Sequence, residues 1–538
     1  MPGSPERDRP DRRGPLARPD RRGPLARPEP APVPWWRNRR NLTVGAVGAV
    51  VLALCGYLAL GSGWGSIRYL TQRCADRVWE RGPAEECTGV SDGGFVFGEL
   101  DDISASIKKE NDRVTGGSLP YVTVALLIPL TTDETDLNRK AAVERQIRHE
   151  VQGAHLAQRR VNDRGSPAVR LVLANPGLGS AQYAAVAQEL DEMARSKEDN
   201  LRAVVGFDMS EENTKKAIRH LTEDLHIPVV GGPITASDLT MPGLARIVPP
   251  NEDQAEVLAS LPDDDNVFLV EDTRPGDSYV DTLRDAFNAK RPSGALESEQ
   301  YRSSGGSDDD PSLAGDFENI AQNICQSGAK DIYFAGRPPQ LRMLVLELGS
   351  QPCARTENSF RVITGSGAST VDSYVKRHEL DEWRRALARV TVEYAAVGHP
   401  EAWEKSKAPE AEDARTEMKH LKAAVAGLKD ADLEDSRLMT IYDATRTAVT
   451  SIRRQAEGGK RIPRPDEVAS GWHQLKSVNK IRGTTGWICL DNHGNAFNKA
   501  VHRVRLDPKW QPDQKLDFVG VAWPEGKPLD ATCTAPRR

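Results

Sequence analysis

From Tyr121 onward the chain alternates between short apolar, β-branched runs and longer amphipathic stretches, and this rhythm restricts its fold more than any other feature. The runs YVTVALLIPL, VRLVLA, LRAVVGF and IPVVGG are continuously apolar, as suits strands covered on both faces. Between them lie segments of helical spacing, from about Asn138 to Asn162, then QYAAVAQELDEMA and SEENTKKAIRHLTED. Such a series predicts a parallel, doubly wound sheet. The rhythm pauses at MPGLARIVPPNEDQ and restarts with NVFLVED, DIYFAG and FRVITG, again separated by helices. The expected fold is therefore α/β, with two doubly wound parallel-sheet lobes and a ligand cleft between them. In open sheets of this kind ligands lie beyond the carboxyl ends of the strands, so the loops after these runs are where a site is sought.

Ahead of the lobes stands an uncharged stretch from Leu42 to Leu60, about 28 Å long as a helix, which matches a bilayer core. Residues 1–40 carry eleven Arg against five acids and end in WWRNRR, which places the N-terminus in the cytoplasm by the positive-inside rule. Leu54 before Cys55 does not suit a lipoprotein site, and a forty-residue leading region does not suit an ordinary signal peptide. The preferred reading is one uncut transmembrane helix, with the two cleaved forms as alternatives. The bulk of the chain would then be extracellular. DRRGPLARP occurs twice in tandem at 11–28, a Pro/Gly/Arg duplication that cannot build a core.

Outside the span six cysteines remain: Cys74, Cys87, Cys325, Cys353, Cys489 and Cys533. An even number in an exported segment reads as disulfides, of which three sequential pairs are the simplest set, with free buried thiols as the alternative. Of 72 basic and 78 acidic residues, eleven and five fall in the first forty, so the remainder has a net charge of −12. That excludes nucleic acid as an outer partner.

Four stretches resemble the type I periplasmic binding proteins, the Leu/Ile/Val-binding family of ABC transport receptors: YVTVALLIPL with the helix ending AHLAQRRVND, the crossover LARIVPPNEDQAEVLASL, LMTIYDATRTAVTSI, and GTTGWICLDNHGN. The Arg- and Ala-rich usage resembles actinobacterial members. The residues themselves mark a tail over 1–40, a transmembrane helix over 41–63 and a membrane-proximal stalk over 64–120, and the resemblance implies a first lobe over 121–246. A second lobe follows over 247–392, a return to the first over 393–495 with a helical excursion, and a return to the second with a tail over 496–538. It also implies hinges near Ile247 to Pro250 and near 390–398.

In that family hydroxyls and amides of the first lobe grip a ligand carboxylate. Ser210 and Thr235 match such positions, although Ser210 also stands where it would cap a helix. The second lobe departs from the pattern. Pro275 replaces an aromatic, and Gln340 stands where amino-acid binders place a carboxylate for the ligand ammonium. A buried ammonium without its counter-charge loses about 3–5 kcal/mol, so a zwitterionic amino acid fits poorly. Arg274 and Arg337 stand at strand ends, and Arg suits carboxylate or phosphate. The expected ligand is an amino acid or, better, an anionic small molecule, lined by Ser210, Thr235, Arg274, Arg337, Gln340 and Ser366.

RHEVQGAH is not HExxH, since His149 and His155 are six residues apart and face different sides of a helix. ITGSGAS has Thr364 where a nucleophile elbow needs glycine. PDDDN and SDDDP lack EF-hand spacing. Neither a Walker loop nor a dinucleotide fingerprint occurs, so no metal, cofactor or enzymatic activity is expected. The functional expectation is a membrane-anchored solute receptor feeding an ABC permease, or alternatively a sensor signalling to a cytoplasmic partner through the basic tail.

Overall fold

The computed structural model describes residues 72–262, 265–292, 296, 298–304, 312–354, 359–511 and 514–534. The first sheet holds β1 (Arg73–Ala75), β2 (Val78–Arg81), β3 (Glu86–Ser91), β4 (Tyr121–Leu127), β5 (Ala168–Asn175), β6 (Leu201–Gly206), β7 (Val229–Gly231) and β8 (Leu244–Arg246). Its order is β1-β2-β3-β5-β4-β6-β7-β8. The five strands from β5 to β8 are parallel. The apolar runs work as expected of strands covered on both sides. Along β4, Val122, Val124 and Leu126 face a core shared with the Leu137–Asn162 and Ser436–Gln455 helices, while Ala125 and Leu127 face the Tyr183–Arg195 and Glu212–Arg219 helices. Each fully buried Val or Leu side chain there contributes about 1.5–3 kcal/mol.

The second sheet holds β9 (Val267–Asp272), β10 (Ser298–Tyr301), β11 (Asp331–Ala335), β12 (Phe360–Thr364) and β13 (Val390–Ala396). The chain then returns to the first lobe, where β14 (Ile481–Gly483) and β15 (Gly486–Ile488) form a hairpin. It comes back to the second sheet with β16 (Val501–Gln511) and β17 (Gln514–Ala522), giving the order β10-β9-β11-β12-β13-β16-β17. The chain crosses between the lobes at 247–250, 397–398 and 496–500, and again after β17, where Leu529 and Cys533 pack on Trp487 and Cys489 of the first lobe.

The segment 64–120 was expected as a membrane-proximal stalk, but its described part, from residue 72, belongs to the first lobe. β3 pairs antiparallel with β5, so β1 to β3 extend the sheet at its edge. The Asp101–Thr115 helix is clamped on behind them, because Asn111 donates to the Leu171 carbonyl (2.6 Å) and accepts from its amide (2.9 Å). The return to the first lobe, expected from 393, begins only after Ala396, since β13 is hydrogen-bonded throughout to the second sheet. The excursion contains the Ala411–Val425 helix, which buries Met418 and Leu421 against Leu156, Leu438 and Met439 of the first lobe.

Disulfides join Cys74 to Cys87, Cys325 to Cys353 and Cys489 to Cys533, with Cα atoms 6.1, 6.0 and 6.1 Å apart. The shortest loop is worth roughly 3 kcal/mol in the chain-entropy model. The last bridge draws the C-terminal segment back against Trp487 of the first lobe. Among the described residues no helix is long and apolar enough to cross a membrane; the expected span at 41–63 and the tail at 1–40 lie outside them.

Candidate functional site

A cavity of about 300 Å³ lies between the lobes at the carboxyl ends of their strands, and Ser210, Thr235, Arg274, Arg337, Gln340 and Ser366 all line it. Thus the six residues singled out from the sequence are brought together.

On the first-lobe wall the chain leaves β6 through Gly206 (φ 122°) and Phe207 (φ 66°), a turn that a glycine in the positive-φ region makes possible. The turn delivers Asp208, Met209 and Ser210 to the cavity. Ser210 does not cap the next helix, whose N-cap is Glu211 without a side-chain bond. Its hydroxyl instead accepts from the Ala236 amide at 3.3 Å, tying this loop to the one carrying Thr235. The Glu212–Arg219 helix therefore starts at the wall with no side chain on its first amides, a favourable seat for an anion.

The second-lobe wall is organised by Asp277, three residues after Arg274 and not among the residues expected from the sequence. It caps the Ser278–Lys290 helix by accepting from the Val280 amide (3.1 Å). It also receives Arg337 in a two-pronged bond, Nε at 2.8 Å and Nη2 at 2.7 Å, and a further bond from Arg274. The Arg337 fork, expected to receive an anionic ligand, is therefore already occupied, and Arg274 spends one of its donors on the same carboxylate. Burial opposes ionisation of Asp277, but the adjoining Arg337 charge and its hydrogen bonds outweigh it and hold the carboxyl below its usual range. Arg337 is raised for the reciprocal reason, against its burial.

The Arg337 guanidinium also lies 4.8 Å from the ring centroid of Tyr279, which supplies the aromatic surface missing at Pro275. The Tyr279 hydroxyl, pushed up to about 12 by burial, accepts from the Gly367 amide at 2.8 Å. A Cβ on Gly367 would stand 2.8 Å from that oxygen, so the approach requires glycine. The Pro338–Ser350 helix opens with two prolines, which have no amide hydrogens to offer, and Arg337 as its N-cap residue provides the positive charge instead.

Behind the first wall lies a second charged group that the sequence did not reveal. Arg437, in the first turn of the Ser436–Gln455 helix, donates to Gln146 (2.7 Å) and stands 3.4 Å from Asp208 and 4.0 Å from Glu150. Next to it His149, set aside earlier as a metal ligand, bonds Asp435 (2.8 Å) and the Asp430 carbonyl (2.7 Å). The periodicity marks this helix as core but does not indicate which polar residues meet a partner 280 positions away. Glu211 is raised by burial, with Arg337 opposing.

The lobes also touch directly. The Tyr279 amide donates to the Ser210 carbonyl (3.2 Å), and Gln146 donates to Ser373 (2.9 Å). These two bonds tie the lobes together beside the cavity.

No family model matches the chain, and no curated protein matches it. Solved structures do. The leucine-binding protein LivK of Thermotoga maritima is 18% identical, with a TM-score of 0.52, covering 74% of this chain and 98% of its own. LivJ of Streptococcus pneumoniae, a branched-chain amino acid transporter substrate-binding protein solved with isoleucine, is 13% identical (TM-score 0.53; 75% and 99%). A solute-binding protein of an ABC transporter from Rhodopseudomonas palustris, solved with p-hydroxybenzoic acid, is 14% identical (TM-score 0.54; 76% and 98%). The fold is thus that of the type I periplasmic binding proteins. More particularly, these neighbours are LivK/LivJ-like substrate-binding proteins of ABC transporters, and they are solute binders rather than enzymes.

Proposed function

We propose that the protein is a solute receptor whose lobes close on a small carboxylate-bearing ligand and present it to an ABC permease. The observation that carries this reading is the uncapped start of the Glu212–Arg219 helix, flanked by the Ser210 and Thr235 side chains, at the wall of an interlobe cavity. A hydroxyl pair and free amides at the positive end of a helix suit a carboxylate. The neighbours solved with isoleucine and with p-hydroxybenzoic acid both hold a carboxylate-bearing molecule. Since Asp277 already holds the Arg337 fork, Arg337 acts as a fixed positive backdrop, while Arg274 gives Asp277 one bond and, among the described residues, leaves its Nε without a partner at the cavity.

The ligand need not be strongly anionic. Placement outside the membrane, tethered through 41–63, is part of the same proposal and is supported by the uncharged run and by three disulfides, which persist in oxidising surroundings.

The test is a thermal-shift screen of the full chain against hydroxybenzoates, amino acids and other carboxylates, each beside its amide. A ligand at 100 times its Kd adds about 2.7 kcal/mol of stability. Carboxylates should raise the melting temperature while their amides do not; stabilisation by sugars alone would rule the reading out.

A further inference from the structure

Glu150 sits in the middle of the Leu137–Asn162 helix, 1% exposed, directly behind the first-lobe wall. Among the described residues its Oε1 and the Oδ1 of Asp208 are both buried without a hydrogen-bond partner. Both oxygens stand beside the same Arg437 guanidinium, Glu150 Oε1 at 4.0 Å and Asp208 Oδ1 at 3.4 Å, and Asp208 is the neighbouring carboxyl that acts most strongly on Glu150. Two buried acceptors without a hydrogen-bond donor, held beside one guanidinium, are what a missing proton looks like. A carboxylic acid donates where a carboxylate only accepts, so one proton on the pair satisfies both oxygens at once.

The surrounding charges agree. Two ionised carboxyls at such range repel strongly, and burial disfavours the second charge further. Arg437 supplies only one cation to the pair and spends its short hydrogen bond on Gln146. Asp435, the next acid facing Glu150, adds a further repulsive charge and is itself committed to His149. Across the cleft Tyr374 interacts with Arg437, and Glu211 lines the same wall as a further acid. Burial first, then the Asp208 charge, pushes the Glu150 carboxyl well above its usual range.

We propose that Glu150 and Asp208 share one proton, and that this proton makes the first-lobe wall a charge filter that accepts a carboxylate and turns away an ammonium. With the proton in place, Arg437 and the pair sum to zero charge. Without it they carry one negative charge beside the seat formed by Ser210 and Thr235. Asp208 and Arg437 reach the cavity surface, so the ligand feels that change directly. Glu150 is a positioning residue that acts through Asp208. This inference rests on the carboxylate reading of the cleft for its second half only.

The first measurement needs no ligand: the infrared difference between the full chain and its Glu150→Gln variant at neutral pH. A protonated-carboxyl band present in the wild type and lost in the variant is the expected result. Only ionised carboxylate bands, as two hydrated carboxylates bridged by water would give, overturn the proposal.

The second is calorimetry with benzoate and benzylamine from pH 5 to 10. Benzoate should weaken by about tenfold per pH unit once the pair loses its proton, and benzylamine should bind only with release of one proton. Benzylamine binding with no proton released overturns the filter. If the infrared band is present and no carboxylate binds at any pH, the shared proton stands and the receptor reading fails.

Discussion

The two walls of the cleft each bury arginine beside carboxylate, yet they are built on different terms. In the second lobe Asp277 takes four donors, three from Arg337 and Arg274 and one from the Val280 amide, and its side chain is 1% exposed. In the first lobe Arg437 faces two carboxyls and makes its short bond to neither. A buried carboxylate with its acceptors filled is scaffold, whereas a site with a surplus carboxyl leaves a proton or a ligand to complete it. The difference assigns rigidity to the second wall and discrimination to the first.

The comparison breaks most easily at Asp277. Asp277→Ala leaves two partly buried arginines without their partner, and breaking such a pair costs about 3–5 kcal/mol. Denaturant unfolding at pH 7 should show that loss; a change under about 1 kcal/mol would mean that the second wall is not held by this residue. Next in size is an effect at the crossing that joins the walls. Burial, assisted by Lys422, lowers His399 to about 4, while an unfolded histidine titrates near 6.5. The native state therefore binds fewer protons below pH 6.5, and stability is lost as pH falls toward 4. Between pH 6.5 and 5 the loss from His399 is about 1.6 kcal/mol. His399→Asn should flatten that limb, and an unchanged limb would place the acid sensitivity elsewhere.

Much of this was legible before any coordinates. The two β-α-β series fix two doubly wound lobes, because a continuous apolar run survives only when covered on both faces, as Val124 and Ala125 of β4 are. Ser210 and Thr235 were legible through the family positions that they match in loops after strand ends. Two things were not. RCADRVWERGPAEECTGVS gives no strand signal strong enough to show that it adds three strands to an existing edge, since edge pairing depends on β5 already being there. The charge pairings were hidden for a related reason. Asp277 and Arg337 are 60 residues apart and Gln146 and Arg437 291, and no local spacing encodes which distant partner an arginine will find within its own lobe.

A third effect sharpens the contrast by its sign. Asp277 is held below its usual range, so its contribution is present above the unfolded carboxyl pKa of about 3.9 and is lost as pH falls through the folded value. Glu150 is raised, so the native state keeps a proton that the unfolded chain releases, and stability is lost as pH rises from about 4.3 toward the folded value. Across that window Glu150→Gln should gain on the wild type with rising pH, by at most about 1.4 kcal/mol per unit. Equal slopes in the two proteins would make the walls alike.

The smallest expected effect bears on which wall holds the ligand. Ser210→Ala removes a hydroxyl that accepts from the Ala236 amide and faces the cavity, and one hydrogen bond of this kind is worth about 1 kcal/mol, or roughly fivefold in affinity. Arg337→Lys leaves a charge in place but cannot reproduce the two-pronged bond to Asp277, so it should lower unfolding stability more than it lowers affinity. Calorimetric titration with the carboxylate that the thermal screen identifies, beside denaturant melts of both variants, separates the two. If instead Arg337→Lys abolishes binding at unchanged stability while Ser210→Ala is silent, the seat lies on the second wall, and its closed set of charges must open to receive the ligand.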